Sequence, residues 1–153
     1  MAGSGNSKLS QSFELLVVLL FTGALAAAAA GWFLAHGYLL YYGDAEAHLN
    51  IARRVIDSRT PGYFQIGTVW LPLPHLLIVP FVKDGTWWRA GVAGAVPSVA
   101  CFIAAAVFLF AAVRRLFNGR AAAVTALLVF ALNPNLLYLQ STAMTEPLFF
   151  ALA

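Results

Sequence analysis

Charged side chains are scarce in this sequence. Aspartate, glutamate, lysine and arginine make up 10% of its 153 residues and 61% are hydrophobic, whereas soluble domains average about 25% charged and about 45–50% apolar residues. This composition excludes an ordinary soluble domain and indicates an integral membrane protein. The net charge of +3 therefore concerns orientation in a bilayer. No basic patch with interleaved aromatic residues is present, so no nucleic-acid partner is indicated.

Cysteine and the common catalytic motifs are also missing. The single cysteine, Cys101, lies in an apolar run, which excludes a disulfide framework and a thiolate metal site. The sequence has no His-Glu-x-x-His zinc motif, no Walker or dinucleotide glycine pattern and no Gly-x-Ser-x-Gly nucleophile elbow. Zinc peptidases, nucleotide-binding enzymes and α/β-hydrolases are therefore not indicated.

Long uncharged runs dominate what remains. Residues 15–43 hold no charge over 29 positions, and about 20 apolar residues are enough to span the hydrocarbon core. A cleavable signal peptide is the alternative for this run, but the run is too long and is preceded by only one lysine, Lys8. The polar composition of residues 1–12 cannot form a core, which predicts a mobile tail.

We therefore expect an all-α fold, a polytopic transmembrane helix bundle with an amphipathic surface helix in its first outer loop. The predicted segments are a disordered cytoplasmic tail (1–12), transmembrane helices (about 13–42, 87–113, 120–138 and 146 onward), and an outer loop (43–86) with a surface helix (44–58) and an interfacial segment (71–82). Because the fourth helix is cut short, we expect residues 13–153 to be the N-terminal part of a larger domain.

The orientation follows from the basic residues. Pro72, Pro74 and Pro80 interrupt the apolar segment 71–82, so we predict that it does not span. Lys8 and the basic turn 114–120 then lie on the same side, which the positive-inside rule identifies as the cytoplasm. The expected localisation is the plasma (inner) membrane, with the first outer loop facing outside and in contact with membrane lipid.

Acidic and imidazole side chains gather where the first uncharged run ends. Gly43 can end the first helix, and Asp44 is well placed as the N-cap of the next. Asp44 and His48 are four residues apart and share a helix face, while Glu46 lies on a neighbouring stripe. The apolar face of this helix is Ala45, Leu49, Ala52 and Ile56. A purely structural interpretation, with Asp44 as a cap and Glu46 favouring the helix dipole, remains open.

Further polar residues of the outer face extend this group. Arg53 and Arg54 can bind phosphate oxygens, or they can meet lipid headgroups. His75 follows the proline-rich segment. Glu146, in Thr145-Glu146-Pro147, begins the fourth helix, where it either caps that helix or pairs with Arg53 or Arg54. Asp44-Ala45-Glu46 is a short match to an Asp-x-Asp metal motif, so a divalent metal held by Asp44 and Glu46 is considered.

The order of these features resembles the C-type polytopic glycosyltransferases. The likeness covers residues 41–150: an acidic pair after the first membrane helix, a surface helix, a proline-rich apolar segment and a Thr-Glu-Pro helix start. Within that group the chain is most similar to the dolichyl-phosphate-mannose protein mannosyltransferases and the aminoarabinose transferases. The resemblance implies an inverting, mannosyltransferase-like transfer from a polyprenyl-phosphate sugar donor to an acceptor, unidentified here, on the outer face.

The resemblance also implies roles for individual residues. The catalytic base of the first outer loop corresponds to Asp44, and Glu46 corresponds to the second acidic position. His48, Arg53, Arg54, His75 and Glu146 are the expected substrate-binding residues. Relatives often have adjacent acids where Ala45 separates them here, so the resemblance assigns no metal to Glu46.

Two other classes of protein are compatible with the same sequence. A secondary transporter or channel module would use Asp44 and Glu146 to couple an ion, and the broken segment 71–82 and Asn133-Pro134-Asn135 are features that it would share. Against it, the carboxylates cluster at one surface. A non-catalytic membrane scaffold would explain the helices but not the acidic cluster.

Overall fold

All regular secondary structure in the described residues is helical. A computed structural model describes residues 3–67, 69–117 and 119–153, and these contain no strand. Their helices are α1 (Gly3–Ala35), α2 (Gly43–Arg54), a 3-10 turn (Tyr63–Gln65), α3 (Pro72–Ile78), α4 (Gly85–Ala90), α5 (Val92–Leu116), α6 (Arg120–Ala131), α7 (Pro134–Leu139) and α8 (Glu146–Leu152). The predicted all-α class is confirmed.

Two helices are long and apolar enough to cross a membrane. They are Gln11–Ala35 within α1 and Val92–Leu116, which is α5, each of 25 residues. A helix of that length extends about 37 Å at ~1.5 Å per residue, more than the ~30 Å of a hydrocarbon core. Only 17% and 28% of their most apolar windows are buried inside the protein, so most of each apolar surface is open to its surroundings. By contrast, α6 has 12 residues.

The helix predicted at 120–138 is divided into α6 and α7. Asn133 leaves the helical path, and its side-chain oxygen accepts a hydrogen bond from the backbone N–H of Asn135 at 2.9 Å. Pro134 then occupies the first turn of α7, where its missing N–H costs nothing. The irregular turn predicted at Asn133-Pro134-Asn135 is therefore present, and it ends one helix and begins another.

Other boundaries also differ from the predicted ones. The helix predicted at 87–113 is divided at Gly91, whose φ of +83° places it in the left-handed region. A Cβ at Gly91 would lie 2.8 Å from Cβ of Leu39, so both the turn and the packing require glycine. Helix α1 begins at Gly3, within the predicted tail, and ends at Ala35, before the aromatic residues that lead to α2.

Helices α1 and α5 run antiparallel and carry the larger core. Residue 23, in the middle of α1, lies beside Ile103 of α5. Small residues such as Ala26 and Ala106 let the backbones approach, and Phe102 fills the space between α1, α5 and α6. Burying a large apolar side chain of this kind stabilises the fold by about 1.5–3 kcal/mol.

An ion-pair cluster joins three helices at one end of the bundle. Glu14 of α1 accepts from Nε of Arg114 at 3.3 Å and also pairs with Arg120. The α5–α6 turn therefore lies at the same end as the start of α1. Helices α2 and α3 and the start of α8 lie at the opposite end, where α5 begins.

A second core lies at that opposite end, under α2. Ala45, Leu49 and Ala52 are buried against Val79 of the α3 region and other small or apolar residues. The predicted apolar face is confirmed for these three residues. The prediction is wrong for Ile56, which is exposed because α2 ends at Arg54 and the chain no longer follows the helical period.

Helix α5 and the segment before α8 make the closest contact of this second core. A Cβ at Gly94 would lie 2.2 Å from Cβ of Ala143, so any side chain would force the two segments apart. The hydroxyl of Ser98 donates to the backbone carbonyl of Met144 at 3.3 Å. Small residues such as Gly94 and Ser98 are what close packing of helical segments requires.

Candidate functional site

Two histidines form the centre of the candidate site. Nδ1 of His48, on α2, lies 2.9 Å from Nε2 of His75, on α3. Both rings are buried, with 2% and 0% of their surface exposed. One nitrogen must donate and the other accept, so the hydrogen bond requires at least one neutral ring. The Trp70 ring covers His48 with a centroid separation of 4.6 Å.

Burial keeps both rings neutral. It is the largest cause of the lowered pKa of His48, and the negative charges of Asp44 and Glu146 oppose it. The pKa of His75 falls to about 4, mainly through burial, then through His48, with a further contribution from Arg54. The backbone carbonyl of Leu71 opposes this lowering of the pKa of His75. Nδ1 of His75 itself has no partner that meets the geometry of a hydrogen bond. At neutral pH the pair is uncharged.

Asp44 lies in the first turn of α2, and its carboxylate forms no hydrogen bond or ion pair among the described residues. The helix begins at Gly43 with Tyr42 as its N-cap, and no side chain caps it. The prediction that Asp44 is the N-cap is therefore wrong, because the cap lies two residues earlier, at Tyr42. Asp44 is exposed and its charge acts on His48 one turn along, as their shared face predicted.

The other acid of this turn, Glu46, is exposed and forms no hydrogen bond or ion pair among the described residues. Its place in the first turn suits the helix dipole. Its charge is not among those that act on His48. Of the two acids in the predicted pair, only Asp44 therefore affects the pKa of His48.

Glu146 approaches the histidines from α8. It occupies the first turn of that helix after Thr145, and its charge acts on His48. Its Oε2 is buried without a hydrogen-bond partner. The ion pair with Arg53 or Arg54, one of the alternatives for Glu146, is absent from the described residues, and the charge of Glu146 acts on His48 instead.

Arg53 is fully engaged within the fold. Its guanidinium pairs with Asp57 at 2.9 Å, donates to the backbone carbonyl of Val82 and lies 5.1 Å from the centroid of the Trp88 ring. These contacts tie the end of α2 to the chain before α4. Arg53 therefore has a structural role in the fold, and its expected substrate-binding role stays a prediction.

Arg54 differs from its neighbour. It is exposed, and it forms no hydrogen bond or ion pair within the part of the chain that the structure describes. Its charge reaches His75 and helps to lower the pKa of that ring. Of the two adjacent arginines, Arg54 is the one with a guanidinium available to a ligand beside the histidine pair.

An apolar groove adjoins this cluster. It has a volume of about 300 Å³ and runs between the start of α3 and α8. The residues that line it are Trp70, Leu71, Leu73, Pro74, Thr145, Leu148, Phe149 and Leu152. Trp70 belongs both to the groove and to the cover of His48, so the groove opens beside the histidine pair.

The described residues do not form a metal centre. No three histidine, cysteine, aspartate or glutamate side chains among them are arranged to hold a metal ion. The two histidine nitrogens that face one another bind each other, and Glu46 stands apart. The considered divalent metal at Asp44 and Glu46 therefore does not fit the residues as the structure arranges them.

The site is thus centred on the contact of His48 with His75. The charges of Asp44 and Glu146 act on His48 and that of Arg54 acts on His75, whereas Arg53 and Glu46 are not among the charges that act on either ring. Sequence reasoning missed the histidine–histidine contact and the part played by Trp70. The signal for both was a histidine in a segment with little other polarity, preceded by a tryptophan five residues earlier.

Comparison with protein-family models, curated proteins and solved structures finds no match to this chain.

Proposed function

We propose that this chain is part of a membrane glycosyltransferase that transfers a sugar from a polyprenyl-phosphate donor to an acceptor at the outer membrane face. The observation that carries the proposal is the arrangement of the site. Among the described residues the Asp44 carboxylate and the Arg54 guanidinium form no hydrogen bond or ion pair. Their charges act on a buried neutral histidine pair, and an apolar groove opens beside that pair. Base, phosphate partner and lipid-binding surface are the parts that such a transfer needs.

In the proposed reaction Asp44 acts as general base. Its carboxylate takes the proton of an acceptor hydroxyl as the acceptor oxygen bonds to the anomeric carbon, on the face opposite the phosphate. The bond from that carbon to the phosphate oxygen breaks, and the electron pair leaves with the polyprenyl phosphate. The configuration at the anomeric carbon is therefore inverted, and the protonated Asp44 returns its proton to water.

Arg54 would stabilise the departing phosphate. A guanidinium offers a planar fork of N–H donors that matches two phosphate oxygens. Arg54 has this fork free and lies close enough to affect His75. The lipid of the donor would lie in the groove between α3 and α8, whose walls are almost entirely apolar.

The histidine pair and Glu146 would position Asp44. His48 is one turn from Asp44 on α2, and its hydrogen bond to His75 fixes α2 against α3. Because both rings are neutral, they bring no positive charge that would hold Asp44 in an ion pair. The half-buried Glu146 adds negative charge near His48.

The proposed topology places this end of the bundle outside the plasma membrane, in a multi-pass protein. The Glu14 cluster supports it, because the basic α5–α6 turn and the start of α1 share one end of the bundle and basic turns favour the cytoplasm. In a Cys101→Ser background, single cysteines at Arg59 and Arg115 should react with an impermeant reagent from opposite sides. Reaction of both from one side would reject the topology.

Ion coupling is the second candidate function. The buried, unpartnered Oε2 of Glu146 favours it, since such an oxygen can bind a proton or cation. The full-length protein in liposomes separates the two functions. Transfer of a radiolabelled sugar from its polyprenyl phosphate to an acceptor, without ion flux, supports the transferase. Ion flux lost in Glu146→Gln, without sugar transfer, supports the transporter.

A further inference from the structure

A cavity lined by four tyrosines lies beside the start of α2. It is open, has a volume of about 540 Å³, and is bounded by Tyr38, Tyr41, Tyr42 and Tyr138. Three of these residues belong to the connection between α1 and α2, and Tyr138 belongs to α7. We call these four residues the tyrosine cup. None of the described residues that line it is charged.

The tyrosine cup is a built structure and not a chance meeting of mobile rings. The Tyr138 hydroxyl donates to the backbone carbonyl of Tyr38 at 2.9 Å, and Phe33 packs edge-on against the Tyr138 ring at 4.9 Å. Within the cup the Tyr38 and Tyr41 centroids are 6.1 Å apart, and those of Tyr42 and Tyr138 are 5.6 Å apart. These separations are typical of paired aromatic rings.

The rings remain available to a ligand. Tyr41 is 79% exposed and Tyr42 50% exposed, which leaves large aromatic faces in contact with solvent. The cavity volume lies within the ~300–1,000 Å³ of small-molecule sites. A ligand for this site must offer apolar faces to the rings and hydrogen-bonding groups to the phenol hydroxyls, and it needs no charge, because the walls provide none.

A sugar ring meets these conditions. One face of a pyranose is a set of C–H groups that packs on an aromatic ring, and its rim of hydroxyls can exchange hydrogen bonds with tyrosine hydroxyls, which both donate and accept. An anionic ligand would lose its hydration without meeting an opposite charge. A cation would be attracted by the ring faces, but a cation without hydroxyl groups would leave the phenol hydroxyls without a ligand partner. A wholly apolar ligand would leave the phenol hydroxyls unpaired.

We infer that the tyrosine cup binds a neutral pyranose ring next to Asp44. Tyr42 is the N-cap of α2, and Asp44 follows in its first turn, so a ring in the cup lies at the entrance to the catalytic carboxylate. The role of that ring in transfer rests on the function proposed above. It is either the sugar of the acceptor or the sugar of the donor, and both share this chemistry.

Direct binding tests the inference without any need for turnover. The full-length protein in lipid nanodiscs, free of alkyl-glycoside detergents whose sugar headgroups would compete, is studied by saturation-transfer NMR with methyl α-mannopyranoside and with maltose. Tyr41→Ala and Tyr42→Ala should weaken binding about 3- to 10-fold each, the range of one aromatic contact. Both residues are exposed, so neither truncation should disturb folding.

Tyr63→Ala is the matched control, because Tyr63 is 69% exposed and lies outside the cup. Saccharide binding that weakens in the cup variants and not in Tyr63→Ala supports the inference. Equal binding in all the proteins overturns it. The inference is also overturned if the cup variants bind the saccharides normally but associate less with liposomes, since the tyrosines would then be membrane anchors.

Turnover then identifies the source of the ring. A raised KM for the saccharide acceptor alone in Tyr41→Ala supports an acceptor site, and a raised KM for the donor alone supports a donor-sugar site. Asp44→Asn should still bind the methyl glycoside. If the wild type binds saccharide but shows no transfer, the proposed function fails while the binding site stands, so the two failures are distinguishable.

Discussion

Nδ1 of His48 and Nε2 of His75 share a buried hydrogen bond of 2.9 Å across 27 residues of sequence. The contact joins the acidic helix α2, which carries both Asp44 and Arg54, to the short helix α3, whose start lines the groove. Because one ring must donate to the other, protonation of both rings breaks the contact. The site is therefore sensitive to acid.

Stability should fall as the pH falls from about 6.5 toward 4. The pKa of His75 is lowered from 6.5 to about 4 in the folded protein, so between these values the unfolded chain binds a proton that the folded one does not, and stability rises with pH. At about 1.4 kcal/mol per pKa unit, the loss approaches about 3 kcal/mol. Below pH 4 His75 is protonated in both the folded and the unfolded protein, so it causes no further loss of stability.

Thermal unfolding of the nanodisc protein across this pH range measures the effect. The double variant His48→Leu/His75→Leu replaces both partners by apolar groups and should flatten the curve, whereas the exposed His36→Ala should keep the wild-type slope. An unchanged slope in the double variant would show that other groups cause the acid sensitivity.

The adjacent arginines should separate stability from substrate binding. Arg53→Ala removes the ion pair to Asp57, the hydrogen bond to the Val82 carbonyl and the contact with Trp88, and should cost about 1–3 kcal/mol of stability. Arg54→Ala, at an exposed position, should unfold like the wild type but raise the KM for the lipid donor about tenfold or more, the value of a hydrogen bond to a charged group. If the KM were raised only in Arg53→Ala, Arg53 and not Arg54 would bind the phosphate, and the assignment proposed here would be wrong.

Gly94→Ala should destabilise the contact between α5 and the segment before α8. The added Cβ meets Ala143 at 2.2 Å, and overpacking of this kind costs about 1–3 kcal/mol. Gly31→Ala is the matched control, because nothing lies within 4 Å of a Cβ there and alanine is the better helix former. Thermal unfolding should place Gly94→Ala below the wild type and Gly31→Ala at or above it; equal values for the two variants would reject the close contact.

The sequence predicted the features that depend on local pattern. The two long apolar helices follow from uninterrupted hydrophobic runs, and the buried face of α2 follows from its period of Ala45, Leu49 and Ala52. The break at Asn133 was signalled by the proline that follows it. The break at Gly91 was not, since a glycine in an apolar run also serves close helix packing.

What the sequence could not predict depends on tertiary packing. The contact of His48 with His75 requires α3 to dock on α2, and the pattern of neither segment encodes that docking. The contacts of Arg53 depend on Val82, which precedes α4, and on Trp88, which lies in α4. The cap of α2 is Tyr42, two residues before the predicted Asp44, and that shift places Asp44 inside the first turn, where its carboxylate makes no capping bond.

The role of Asp44 as catalytic base is tested most directly by Asp44→Asn in the full-length protein. Asparagine keeps the shape of the side chain but cannot take a proton, and the exposed carboxylate makes no capping bond whose loss would affect folding. Turnover of the polyprenyl-phosphate sugar should fall about 10²-fold or more, with thermal unfolding unchanged. Glu46→Gln, which alters the other acid of the same turn, should lower turnover by less than about tenfold, well short of a general-base contribution. Wild-type turnover in well-folded Asp44→Asn would contradict the proposed mechanism.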